Sequence, residues 1–165
     1  MVLNPILNSG PLFYIQDRMG KDCKLFRVIK FRSMSQTDKV LRTHTDPIEH
    51  DRITTLGHFI RKIRLDELPQ IINIIKGDMS LIGPRPDYYM HAQEFLLCVD
   101  GYRLRHKLRP GITGLSQIRL GYAEGIQETQ LKSDIDNYYI ENISFLLEIK
   151  ILFGTIIVIL RGGGN

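Results

Sequence analysis

The stretch Arg61-Lys62-Ile63-Arg64-Leu65-Asp66-Glu67-Leu68-Pro69-Gln70 decides how this chain is read. Three cations run into two adjacent carboxylates. Upstream, Leu56, Phe59, Ile60 and Ile63 fall at i, i+3, i+4 and i+7, the spacing of one helix face. Thr54 or Thr55 offers a hydroxyl N-cap for that helix. Downstream, Leu68, Ile71, Ile72 and Ile75 repeat the spacing and Gly77 stops it. Asp66 occupies the N-cap position of this second helix. Pro69 fits because it lies in the first turn, where its missing N–H is not needed. Two short helices are therefore predicted, with the carboxylate pair at their junction. An Asp cap followed by a first-turn Glu has an ordinary structural explanation. Adjacent helical positions also point about 100° apart, so proximity in sequence does not make the two act together.

Towards the N-terminus, Leu12, Tyr14 and Gln16 alternate with Phe13, Ile15 and Asp17, a turn-like Met19-Gly20-Lys21-Asp22 follows, and Leu25–Phe31 alternates again. That pattern is a β-hairpin. Residues 33–53 are polar, contain Asp46-Pro47 and read as an exposed loop. Towards the C-terminus, Gly77–Pro86 reads as a Gly- and Pro-rich loop, and Asp87 as a cap for a helix through about Val99. Residues 108–118 hold a Pro-Gly turn and a short extended piece. Glu128 to Leu160 is mostly helical with a break near Asn142. The fold class is α+β: a small, mainly helical domain with an N-terminal β-hairpin and amphipathic interfacial helices.

At 165 residues the chain forms one domain able to bury its own core. Hydrophobic residues are 43% and charged residues 24%, which excludes a disordered or fibrous class. Cys23 and Cys98 are too few for a disulfide framework and read as packing residues in a reducing compartment. The His residues form no helical pair at metal-ligand spacing. No signal peptide is expected at the start, and no run of about 18 uncharged apolar residues indicates a spanning helix. The uncharged run Ile151–Leu160 suits a buried helix or one lying in a membrane interface.

The formal net charge of +4 suits an anionic partner, and the charge is zoned. Segment 18–32 carries Arg18, Lys21, Lys24, Arg27, Lys30 and Arg32; segment 103–109 carries Arg103, Arg105, Lys107 and Arg109; 128–148 leans acidic. Each run is open to two readings, a solvated face or a phosphate site. Lys30 and Arg32 share one face of a strand. In Lys76-Gly77-Asp78-Met79-Ser80-Leu81-Ile82-Gly83-Pro84-Arg85-Pro86, two prolines restrain Arg85, and a restrained guanidinium loses little order on binding phosphate. Leu108-Arg109-Pro110-Gly111-Ile112-Thr113-Gly114 completes the set.

These strings together resemble the bacterial sugar transferase family, the polyprenyl-phosphate hexose-1-phosphate transferases. The resemblance runs from about Gly10 to Gly162. It is carried by Gly10-Pro11-Leu12-Phe13, Gln16-Asp17-Arg18-Met19-Gly20, Lys30-Phe31-Arg32-Ser33-Met34, Leu65–Gln70, Gly77–Pro86 and Arg109–Gly114, in that order. It implies that Asp66 and Glu67 form a catalytic dyad, with Asp66 the nucleophile toward the sugar-linked phosphorus of a UDP-sugar. It implies that UMP leaves, that polyprenol (undecaprenyl) phosphate collects the phospho-sugar, and that Mg²⁺ sits by Asp66 and Glu67. Lys30, Arg61 and Arg85 match the family's substrate-binding cations, with Arg32 and Arg109 beside them. The implied setting is the cytoplasmic face of the bacterial inner membrane, in the first membrane step of exopolysaccharide, capsule or O-antigen synthesis.

The family also carries a hydrophobic helix-break-helix before Gly-Pro-Leu-Phe, whereas only Met1–Ser9 precede it here. A catalytic domain over 1–165 lacking most of that segment, which would be separate or missing, is the corresponding expectation. Leu115 stands where the family commonly has Trp. Three other readings compete: a basic module binding RNA, an inactive paralogue binding the membrane surface, and a soluble phosphohydrolase using Asp and Mg²⁺. Nucleic acid is not expected, because Trp is absent and the aromatics, 8% of the chain, are not interleaved with the basic runs.

Overall fold

The N-terminal alternation forms the expected hairpin. In the computed structural model, which describes residues 10–35, 50–121 and 125–161, β1 (Phe13–Met19) pairs antiparallel with β2 (Leu25–Phe31). Phe13 lies opposite Phe31 and Met19 opposite Leu25. The connection is a 3₁₀ turn, Lys21–Cys23, with Asp22 and Cys23 in the left-handed region. Residues 36–49 of the expected exposed loop lie outside the described residues.

The first helix, α1 (Thr55–Lys62), starts as the sequence predicts: the Thr54 hydroxyl accepts the Gly57 N–H at 2.9 Å. Gly57 is required by close approach, since a Cβ there would lie 1.9 Å from the Ser33 carbonyl oxygen. The second helix differs from its expectation. Arg64 takes the left-handed conformation at φ 54°, Leu65–Gln70 forms a 3₁₀ turn, and only Ile71–Lys76 is α-helical (α2). Asp66 is therefore not an N-cap; it is buried inside the 3₁₀ turn. Pro69 is accommodated there, and Gly77 ends α2 at φ 83°.

The face that α2 buries is inverted. Asn73 is buried, donating to the Arg27 carbonyl at 2.7 Å and accepting the Ile29 N–H at 3.2 Å, so one amide ties α2 to β2. Leu68, Ile71, Ile72 and Ile75, which the periodicity offers as a core stripe, are exposed, Ile75 by 82%.

The Gly-Pro loop contains a short strand, β3 (Ser80–Ile82), paired parallel with β4 (Gly111–Thr113). Gly83, Gly111 and Gly114 cross here. A Cβ on Gly111 would meet the Gly83 nitrogen at 2.2 Å, and one on Gly114 the Gly83 oxygen at 2.3 Å. Next come α3 (Tyr89–Cys98), a 3₁₀ turn Tyr102–Lys107, and α4 (Leu115–Arg119). Asp87 does not cap α3, whose N-cap is Tyr88; its carboxylate enters a buried ion network instead. The last two helices, α5 (Gly125–Glu141) and α6 (Phe145–Leu160), break at 142–144 as expected, with Ser144 capping α6.

Two apolar clusters hold these elements. Met19, Ala92, Phe95, Val99 and Tyr102 join the hairpin to α3, and Leu115, Tyr139 and Ile151 join α4, α5 and α6. The Thr113 and Thr155 hydroxyls, 2.5 Å apart, fasten α6 to β4. Both thiols are free. Cys23 packs on the first cluster, whereas Cys98 is exposed rather than a packing residue. Among the described residues, no helix is long and apolar enough to cross a membrane.

Candidate active site

The site grows from the 3₁₀ turn Leu65–Gln70 lying against β2. The left-handed Arg64 makes a tight entry, closed by the Glu67 N–H donating to the Arg64 carbonyl at 3.2 Å. Both carboxylates are thereby buried, Asp66 with 9% and Glu67 with 6% of its surface exposed. Burying two adjacent carboxylates is costly unless cations compensate them.

The compensation is unequal. Glu67 is held by three cations from three segments. Lys30 of β2 donates to its Oε1 at 3.3 Å, Arg85 reaches both of its oxygens as a fork, and Arg64 lies 3.6 Å from its Oε2. Burial pushes the Glu67 carboxyl up, but Arg85 and Lys30 outweigh it and hold it well below the usual carboxylate range. Asp66 makes no ion pair and no side-chain hydrogen bond among the described residues. Burial raises its pKa, Lys30 opposes this, Glu67 adds to it, and Arg61 and Arg85 oppose it in turn. Burial likewise lowers Lys30 to about 8, against the pull of Glu67. The result is one carboxylate saturated by cations and, beside it, one that shares their field with both oxygens uncommitted.

Of the seven sequence candidates, the structure gathers five: Lys30, Arg61, Asp66, Glu67 and Arg85. Arg32 follows the end of β2 and its Nε donates to the Pro11 carbonyl at 2.8 Å, so the shared strand face does not bring it to the dyad. Arg109 is exposed, its guanidinium lies against Gly77, and it pairs with neither carboxylate. Sequence reasoning missed Arg64 as a partner of Glu67; its place three residues earlier was the available signal. It also missed the network of Asp87, Arg105, Lys132 and Asp136 beneath the Pro-Arg-Pro loop, whose members are scattered along the chain. Among the described residues no three His, Cys, Asp or Glu side chains gather as a metal site.

A dyad in a cationic setting, flanked by Gly-Asp-Met-Ser-Leu-Ile-Gly-Pro-Arg-Pro, is matched by a family model. The model for the bacterial sugar transferase covers residues 1–162. The chain belongs to the bacterial sugar transferase family. Its similar relatives include the UDP-N-acetylgalactosamine-undecaprenyl-phosphate N-acetylgalactosaminephosphotransferase of Aeromonas hydrophila, 43% identical over 99% of this chain and 38% of the relative. The UDP-glucose:undecaprenyl-phosphate glucose-1-phosphate transferase of Escherichia coli (strain K12) is 41% identical over 90% of this chain and 32% of the relative. The exopolysaccharide production protein PSS of Rhizobium leguminosarum bv. phaseoli is 37% identical over 94% of this chain and 81% of the relative. This bacterial sugar transferase chain thus spans about a third of the length of the first two relatives.

Proposed function

We propose that this chain transfers a hexose-1-phosphate from a UDP-sugar to polyprenol phosphate, with Asp66 as the nucleophile. The observation that carries the reading is the division of labour in the dyad: Glu67 binds the cations, and Asp66 stands among them with no ion pair among the described residues. A carboxylate is a poor nucleophile toward an anionic diphosphate, so the positive field of Lys30, Arg61 and Arg85 must offset the repulsion. An Asp66 oxygen bonds to the sugar-linked phosphorus. The bond from that phosphorus to the bridging oxygen breaks, and UMP leaves with the electron pair. A phosphate oxygen of the polyprenol phosphate then attacks the same phosphorus, displaces the Asp66 carboxylate and forms the lipid diphospho-sugar. Glu67 orients Lys30 and Arg85 toward the phosphates.

Mg²⁺ fits this donor set, since it is commonly held by one or two carboxylates with substrate phosphates and water. Asp66 would hold it; Glu67, already engaged by Lys30, Arg64 and Arg85, is the less available ligand. When bound there, Mg²⁺ would screen the repulsion between carboxylate and diphosphate.

The lipid substrate places the reaction at headgroup level, on the cytoplasmic face of the inner membrane. The inverted α2 supports this. A helix that buries Asn73 and exposes Ile71, Ile72 and Ile75 beside Lys62 and Lys76 suits an apolar medium under an anionic surface. Exposed Phe153, Ile156, Ile157 and Leu160 give α6 a similar face. A place in exopolysaccharide or related synthesis follows from the same chemistry.

The test is UMP release from a panel of UDP-sugars with Mg²⁺, with and without undecaprenyl phosphate. Lipid-dependent UMP is expected. Sugar phosphate released without lipid would make the chain a hydrolase, and no turnover with any sugar would end the reading.

A further inference from the structure

Pro84-Arg85-Pro86 poses a physical problem. Neither proline has a backbone N–H, so the loop can be held mainly through its carbonyls. All three carbonyls are taken. The Gly111 N–H donates to Pro84 at 3.0 Å, Arg105 Nη2 to Arg85 at 2.8 Å, and Arg18 Nη1 to Pro86 at 3.0 Å. Of these donors Arg105 is the most committed. It is 2% exposed, and its guanidinium also binds Asp136 Oδ2 through Nε at 3.1 Å and pairs with Asp87 through Nη1. Asp87 is in turn fixed by the Tyr102 hydroxyl at 2.7 Å and by Lys132. A buried Arg105–Asp136 pair with half-buried Asp87 and Lys132 is expensive to desolvate, and apolar packing would often serve stability as well. What apolar packing cannot supply is a rigid donor aimed at one carbonyl.

We infer that Arg105 is a positioning residue for the transfer, holding the Arg85 backbone so that the Arg85 guanidinium stays on Glu67 beside Asp66. It touches neither substrate nor metal. The inference rests on the proposed role of Arg85 for its kinetic consequence, but not for its structural one.

The structural arm is ¹⁵N relaxation of the Arg85 Nε–H in the full chain. In the wild type it is expected to be as ordered as rigid backbone, with an order parameter of about 0.85. A flexible Arg85 side chain in the wild type overturns the proposal without any variant having to fold. Arg105→Lys keeps the charge but loses the fork, so one ammonium cannot serve Asp87, Asp136 and the Arg85 carbonyl together. In that variant the Arg85 order parameter is expected to fall below about 0.6; an unchanged value overturns the proposal.

The kinetic arm is a double-mutant cycle in the lipid-dependent UMP assay. Arg105→Lys is expected to lower kcat/KM by about 10- to 100-fold, mostly in kcat. Adding Arg105→Lys to Arg85→Lys should then cost no more than about twofold further. Multiplicative losses, or a loss confined to KM, would mean that Arg105 does not act through Arg85. If the wild type turns over no UDP-sugar, the functional reading fails, and the relaxation arm alone decides the positioning role.

Discussion

At the residue scale, the proposed function turns on two neighbouring buried carboxylates that the surrounding cations treat differently. Asp66→Asn keeps the shape and removes the charge, so UMP release should fall by about 10³-fold or more. Glu67→Gln should lower kcat/KM by about 10²-fold, because Lys30, Arg64 and Arg85 lose the anion that orients them. An Asp66→Asn variant more active than Glu67→Gln in the same assay would reverse the assignment. His106 gives a prediction on stability. Its Nδ1 lies 3.1 Å from the Gly20 carbonyl, which requires it to donate, while Nε2 is buried with no hydrogen-bond partner among the described residues. Burial, then the nearby Arg105, lowers it from 6.5 to about 4, with Asp87 opposing and Lys132 assisting. The unfolded chain therefore binds the proton first, so this stability is complete above about pH 6.5 and is lost as pH falls toward about 4. About 2 kcal/mol should disappear between pH 7.5 and 5, read from urea midpoints, and His106→Gln should remove that part of the slope. An equal slope in the variant would exclude His106 as its source. The adjacent carboxylates after three cations stood out in the sequence, but only the family resemblance marked them as a dyad. The cap role of Asp66 was a misreading, because a left-handed Arg64 turned the expected helix start into a 3₁₀ turn.

At the element scale, Gly83, Gly111 and Gly114 are explained by the backbone crossing at β3 and β4. Gly111→Ala would press a methyl against the Gly83 nitrogen and, at 2.5 Å, the Thr113 carbonyl oxygen. We expect a loss of about 3 kcal/mol, seen as a Tm lowered by roughly 6–10 °C in calorimetry. A Tm within about 2 °C of the wild type would show that the crossing can relax. The hairpin and α1 were legible because alternation and helical spacing are local, although Phe59 and Ile63 of the expected α1 face are exposed. The second helix was half legible: its spacing was right, but Asn73 took the buried side by bonding the β2 backbone. The loop at 77–86 hid β3, because a three-residue parallel pair is defined by a partner 31 residues away. Part of α5 was expected as helix, yet its buried face of Thr129, Ser133, Asp136 and Tyr139 is mostly polar, so the ion network gave no periodic signal.

At the scale of the whole molecule, charged clusters and exposed apolar faces both fit the proposed catalytic site at a lipid surface. Ile75 is the cleanest probe of that surface, being 82% exposed. Ile75→Asp should leave stability within about 0.5 kcal/mol. It should weaken sedimentation with anionic vesicles by about tenfold. Unchanged vesicle binding would remove α2 from the docking face. The sequence announced the basic runs but not their separation. Lys30, Arg61 and Arg85 gather at the dyad, Arg105 is buried beneath the loop, and Arg109 stays outside, a sorting made by tertiary packing.

The most direct measurement is tandem mass spectrometry of the chain after incubation with its UDP-sugar and Mg²⁺, with no acceptor lipid. A phospho-sugar mass on Asp66, absent from Asp66→Asn and discharged by undecaprenyl phosphate, is expected. Lipid-dependent UMP release with Asp66 unmodified, or with the label on Glu67, would contradict the mechanism.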